Sequence, residues 1–263
     1  MARLCTLLLP ERARDEGVAR PRHLDRTALE TPSLALANAV RETLRIGDLV
    51  EQMLVHLREV LRGGSSEASQ QVRRLDDDVD ALYGAVKLYL AQMPRDDLPA
   101  HDSRRWAEII ELAVNLEHAG DLIEQMVGKL DNHKRARHYS FSDSGLEELS
   151  GLHELLANNL RLGLNVFLNG NRDNAQRLLQ EKHHFRREER KLAHAHVGRL
   201  SRQVVQSIET SALHLELIAD MKRLNSLFCG SAYVVLEDEG SNTPATEEEA
   251  PLPQAAPLVP PNG

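Results

Sequence analysis

With 263 residues, 41% of them hydrophobic but only 3% aromatic, the chain has material for one large core or two small ones, resting on Leu, Val, Ile and Ala. The net charge of −8 argues against a nucleic-acid partner, although Glu237, Asp238, Glu239, Glu247, Glu248 and Glu249 concentrate acid at the C-terminus and leave the remainder near balance. Cys5 and Cys229 fit no metal-ligand or disulfide framework, which points to a reducing cytoplasm, and Leu4–Leu9 is too short for a membrane span or a signal peptide.

Residues 1–31 read as an irregular segment containing Pro10 and Pro21. Thr31-Pro32 predicts a helix start, with Thr31 as the cap and proline in the first turn, where its missing N–H costs nothing. Leu36, Val40, Thr43, Ile46, Val50, Met53, Leu57 and Leu61 recur at helical spacing until Gly63-Gly64 stops the run. A second helix after Ser65-Ser66 carries Val72, Leu75, Val79, Leu82, Val86, Tyr89 and Met93, a heptad seam. Tyr89 is expected near the bundle end with its hydroxyl in water.

Pro94 and Pro99 bracket a turn, and a third helix follows with Trp106, Ile109, Ala113, Leu116, Gly120, Ile123, Val127 and Leu130 on one face. Beyond a basic linker (Asp131 to Tyr139) the pattern begins again. A fourth helix starts near Ser142 or Ser144 and ends at Asn169-Gly170-Asn171; a fifth runs from about Asp173 to Leu200, and a sixth from about Ser207 to Leu236. No proline falls between Pro99 and Pro244, and no segment sustains a period of two. The fold expected is all-α: two tandem three-helix repeats of long antiparallel helices at 32–131 and 140–238. The Pro- and Glu-rich tail at 239–263 has the composition of a disordered segment.

The repeat has a local signature. Leu116-Glu117-x-x-Gly120-Asp121 in the third helix matches Leu215-Glu216-x-x-Ala219-Asp220 in the sixth. Glu117 and Asp121 are four apart and share a helix face, as do Asp76 and Asp80 in the second helix. With a turn centred near Asp97, residue 76 is expected level with residue 117, so that four carboxylates converge. Facing carboxylates raise one another's pKa unless a cation compensates, and oxygen-only ligands suit hard cations. The alternative is a solvated flank of an amphipathic helix.

The second half offers Glu216 and Asp220, with Glu188 and Glu189 at a similar height. Aligned on Phe185 and Val79, however, Lys182 and Arg186 take the places of Asp76 and Asp80, which favours an internal ion-pair network there. Glu181 and His184 form one ExxH, where a di-iron carboxylate bundle needs two. No GxSxG, HExxH or Gly-rich phosphate loop occurs, so no catalytic residue is assigned. The basic run from Lys134 to Arg137 reads as a solvated connector, with contact to acidic lipid as the alternative.

These elements resemble the PhoU-like domain, and more specifically the version at the C-terminus of bacterial sodium/phosphate cotransporters. The residues that carry the likeness are the Glu-xxx-Asp elements and the stretch from His214 to Ser226. Ala37 to Asp48, Leu75 to Tyr83 and Phe141 to Gly145 add to it, and Pro21 to Asp25 is similar to the segment that joins the last membrane helix to this domain. The resemblance implies a non-enzymatic regulator of phosphate transport and phosphate homeostasis that acts by protein contact at the cytoplasmic face of the cell membrane. Implied partners are the membrane domain of a phosphate transporter or a phosphate-sensing kinase. Peripheral membrane association and a homodimer are both compatible with that role.

The resemblance further implies iron, zinc or another divalent cation at carboxylate clusters. Asp76, Asp80, Glu117 and Asp121 match best, Glu216 and Asp220 next, and Glu188 loosely. Without a membrane domain, the chain reads as either a stand-alone paralogue or one piece of a transporter. The competing functions are a metal-dependent, di-iron-like bundle enzyme and an inert helical scaffold.

Overall fold

The computed structural model describes residues 19–94, 98–137, 141–201 and 210–237. Among them a 3-10 turn at Arg26–Glu30 precedes α1 (Pro32–Leu61), α2 (Ser66–Ala91), α3 (Ala100–Arg137), α4 (Asp143–Asn169), α5 (Arg172–Ser201), α6 (Ser211–Phe228) and α7 (Gly230–Glu237). No strand occurs among these residues. Cys5, Leu4–Leu9, the expected sixth-helix start at Ser207 and the tail at 239–263 lie outside them.

Helices α1, α2 and α3 pack on one another, as do α4, α5 and α6, and the two triplets meet where α1 touches α4 and α3 touches α6. The doubled triplet expected from periodicity is therefore the fold. Every seam residue of α1 from Leu36 to Leu61 is buried, and Ile46, Val50, Met53 and Leu57 are fully so. One continuous core runs through both triplets, with a smaller cluster of Val166, Ala175, Leu178, Cys229 and Ala232 beneath α7. Two polar contacts cross it. His153 Nε2 lies 2.7 Å from the Leu54 carbonyl across the α1–α4 seam, and Asn159 Nδ2 donates to Asn225 Oδ1 at 2.7 Å.

Local chemistry sets the helix ends. Pro32 opens α1 after Thr31, whose side chain makes no capping bond. Gly63 closes it at φ +83, a conformation that a Cβ would strain. Ser142 caps α4 by accepting from the Gly145 N–H at 3.2 Å, and Gly170 ends it at φ 59. Asn171 Oδ1 then accepts from the Asn174 N–H at 2.9 Å at the start of α5.

Three expectations need correction. The basic stretch expected as a linker from Asp131 is helical through Arg137 as the last turns of α3, with Lys134 Nζ donating to the Gly63 and Gly64 carbonyls. The sixth helix does not run unbroken to Leu236 but turns at Cys229, separating α6 from α7. The cause is close packing: a Cβ on Gly163 of α4 would all but overlap the Phe228 carbonyl, and Ser231 Oγ donates to the Gly163 carbonyl at 3.0 Å. Tyr89 does not hold its hydroxyl in water either; the ring is 4% exposed and the hydroxyl donates to the Asp25 carbonyl at 2.8 Å. No helix among the described residues is long and apolar enough to cross a membrane.

Candidate functional site

The acids predicted on α2 and α3 do face one another, in a register one turn from that expected. Ser69 Oγ donates to Asp131 Oδ1 at 2.8 Å, and Arg73 Nε lies 4.0 Å from Glu124 Oε1, which fixes the antiparallel level of the two helices. Asp76 is accordingly level with Gly120 and Glu124 rather than with Glu117, a register set by the contacts between the two helices.

Asp76 is the centre of the site. It is 9% exposed, and its Oδ1 is buried without a hydrogen-bond partner. Gly120 makes the room: a Cβ there would stand 2.8 Å from that oxygen. Burial and then the charges of Glu124, Asp80, Asp121 and Asp77 push the Asp76 carboxyl up to about 7. Burial also raises Asp80, with Asp121 and Asp77 adding to it. Glu117 is raised by burial and by Asp121, against a smaller opposing pull from His118. Glu124 belongs to this group and was missed. Its signal was present, since residues 117, 121 and 124 follow helical spacing along one face of α3.

An orphaned buried carboxylate oxygen, a glycine that leaves space beside it and an all-oxygen donor set fit a hard cation chemically. As the side chains stand, no three Asp, Glu, His or Cys groups among the described residues converge closely enough to hold one. Binding would therefore need carboxylates to swing inward or water to complete the shell.

The second half places its acids differently. Asp220 is 3% exposed and pairs with Lys129 Nζ of α3 at 2.7 Å and with Arg223 at 3.7 Å. Lys129 also lies 3.8 Å from the exposed Glu216. The ion-pair network expected there is present, with Lys129 as the cation that sequence reading did not single out. Glu188 stays on its own helix, bonded to Lys191 at 2.6 Å, and that bond lowers its pKa. Glu189 is the residue that reaches α6, at Lys222.

The alignment of Lys182 with Asp76 is corrected by these contacts. Lys182 is 7% exposed but sits against Tyr233 of α7, its Nζ 4.8 Å over the ring and 3.3 Å from the hydroxyl, more than three helical turns along the chain from Asp220. Glu189 occupies the level that the alignment gave to Lys182. The lone ExxH closes on itself, with His184 Nδ1 3.4 Å from Glu181. Cys229 is buried, and burial pushes its thiol up to about 12, a value for a packing residue rather than a nucleophile.

The PhoU domain family model matches residues 43–129, the stretch from mid α1 to Lys129 that contains the whole α2–α3 acid site. The chain is 52% identical over 237 residues to a Salmonella typhimurium protein named "Putative inorganic phosphate export protein YjbB", covering 90% of this chain and 44% of that protein. It is 50% identical over 244 residues to the Escherichia coli K12 protein of the same name, covering 91% of this chain and 45% of that one. The chain thus spans somewhat under half the length of these relatives.

Among solved structures, PhoU from Pseudomonas aeruginosa superposes with a TM-score of 0.70 at 19% identity, covering 79% of this chain and 98% of that one. The phosphate transport system regulatory protein PhoU from Streptococcus pneumoniae gives 0.68 at 17% identity, covering 80% of this chain and 98% of that one. These likenesses are of fold. Residues 43–129 thus match the PhoU domain model, and the all-helical fold is that of the PhoU structures.

Proposed function

We propose that this chain is a non-catalytic regulatory module of phosphate transport. Its α2–α3 acid site takes a divalent cation, and its surface acts by contact on a membrane transporter at the cytoplasmic face. The observation that carries the reading is Asp76: a buried carboxylate oxygen without a partner, given room by Gly120, inside the stretch that matches the PhoU domain. Asp76, Asp80, Asp121 and Glu124 would hold the ion, with Glu117 at the rim. A bound cation supplies charge compensation there and fixes α2 against α3. Asp220 and Glu216 already have Lys129, so no second ion is proposed for the other triplet.

The finer reading is that the chain works as, or beside, the helical half of a phosphate transporter of the sodium/phosphate cotransporter type. Support comes from the relatives named for inorganic phosphate export, of which this chain spans 44–45%. A phosphate-sensing kinase is the other partner considered.

Metal analysis of purified protein, followed by thermal unfolding with Mn²⁺, Zn²⁺ or Fe²⁺ after chelation, tests the ion. The wild type should be stabilised by at least one of these metals and Asp121→Asn should not. Wild-type protein with no metal and no shift sinks the cation. Co-purification from phosphate-limited and phosphate-replete cells tests the contact role. Recovery of neither a transporter nor a kinase under either condition would leave an inert scaffold as the better description.

A further inference from the structure

Among the described residues ahead of α1, 19–31, the one regular element is a 3-10 turn, yet the segment is anchored at four points. Glu42 lies on α1 with its side chain fully buried, apart from the acid site. Its Oε2 accepts the backbone N–H of Arg22 at 2.9 Å and that of His23 at 2.8 Å. Its Oε1 pairs with the Arg45 guanidinium, which also donates to the Arg20 carbonyl at 3.2 Å. On α2, Asp78 Oδ1 accepts the Ala19 N–H at 2.5 Å, and the Tyr89 hydroxyl donates to the Asp25 carbonyl at 2.8 Å.

A carboxylate is buried at this depth only where charge-assisted hydrogen bonds replace its water. Here the segment's own backbone supplies two of the three. Irregular chain held merely as a tether would bond to solvent and expose its backbone. This segment instead ties α1 to α2 and buries its own Ala28, which is 3% exposed.

We infer that Ala19–Thr31 is a strap, with Glu42 as its latch, through which the chain ahead of residue 19 and the α1–α2 pair constrain each other's position. A displacement of the incoming chain is passed to α1 at Glu42 and Arg45 and to α2 at Asp78 and Tyr89. Release of the latch lets the two helices move independently of it. The strap stands whether or not the α2–α3 acids take a cation, because none of its contacts uses Asp76, Asp80, Glu117 or Asp121.

Hydrogen exchange and limited trypsin digestion on the full chain test it. In wild-type protein the Arg22 and His23 amides are protected, and trypsin cuts slowly after Arg22 and Arg26. In Glu42→Ala both rates rise by about tenfold or more, and α2 amides around Asp78 and Tyr89 lose protection in parallel while α4 and α5 do not. His23→Pro deletes one donor from the strap without touching the core; its remaining readouts, the Arg22 amide and cleavage after Arg26, should rise in the same way but less, with the same loss around Asp78 and Tyr89, and it carries the test if Glu42→Ala fails to fold. Four results overturn the inference: a strap already unprotected in wild type, a strap unchanged by both variants, a released strap with α2 fully protected, or loss of protection spread equally over α4 and α5.

Discussion

Replacing Asp76 with Asn removes a charge that the fold holds at a cost, and the cost can be worked out. The carboxyl has an ordinary value of 3.8 and stands at about 7 in the folded chain. Between those values the folded state holds a proton that the unfolded state has released, so wild-type stability falls as pH rises through the window and levels off above 7. Each pH unit is worth about 1.4 kcal/mol, which gives an upper bound of about 4 kcal/mol at pH 8 and about 1.5 kcal/mol at pH 5. Solvent relaxation reduces both, to roughly 2–3 and under about 1 kcal/mol. Asp76→Asn should therefore be more stable than wild type, by a margin that grows between pH 4 and pH 7. In a helical domain of this size the gain at pH 8 corresponds to roughly 5–10 °C in Tm. Urea unfolding of both proteins across pH 4–8, with chelator present so that no cation offsets the charge, measures the difference directly. A variant that is less stable at pH 8, or more stable by the same amount at every pH, would refute the reasoning, because the Asp76 charge would then not be the source of the cost.

Further substitutions probe other parts of the same electrostatics and packing. Gly120→Ala places a methyl 2.8 Å from Asp76 Oδ1 and should abolish any stabilisation by added divalent metal while leaving the helical circular dichroism intact. Lys129→Ala leaves the buried Asp220 with only the longer Arg223 contact and should cost about 1–3 kcal/mol by chemical denaturation, whereas Glu216→Ala, at an exposed rim, should cost under about 0.5. Gly163→Ala drives a Cβ into the Phe228 carbonyl and should cost about 1–3 kcal/mol, with faster hydrogen exchange on both sides of Cys229.

Most of the helical framework was legible because it depends on local spacing. The seam of α1 could be read from Leu36 to Leu61, and the ends at Gly63, Ser142 and Gly170 carry the residue types that caps require. What could not be read depends on where one helix stops relative to another. A turn centred on Asp97 puts Asp76 opposite Glu117, whereas the packing of α2 on α3 sets it about one turn away, at Gly120. The alignment of Phe185 with Val79 failed likewise, since both are buried apolar residues and nothing local distinguishes one turn of a seam from the next. Glu42 is the clearest case. In sequence it is one more acid on an amphipathic helix, and its burial follows only from the Arg22 and His23 amides about twenty residues earlier in the chain.

The two halves share a motif and differ in what neutralises it. Asp121 faces Asp76 and Asp80, with Arg73 reaching no nearer than Glu124 at the edge; Asp220 faces Lys129 at 2.7 Å. A tethered ammonium answers the second site permanently, while the first has no such partner. Under the proposed function a divalent cation would compete with the proton for the Asp76 oxygens, and the carboxyl at about 7 would make that competition fall near neutrality. Metal affinity at the first site should accordingly weaken by up to about tenfold per pH unit below 7 and change little above 8. Isothermal titration with Mn²⁺ from pH 6 to pH 8.5 would show this slope in wild type and a nearly flat, weak response in Asp76→Asn. An equally steep slope in the variant would place the competing proton on another group and remove Asp76 from the ion's shell.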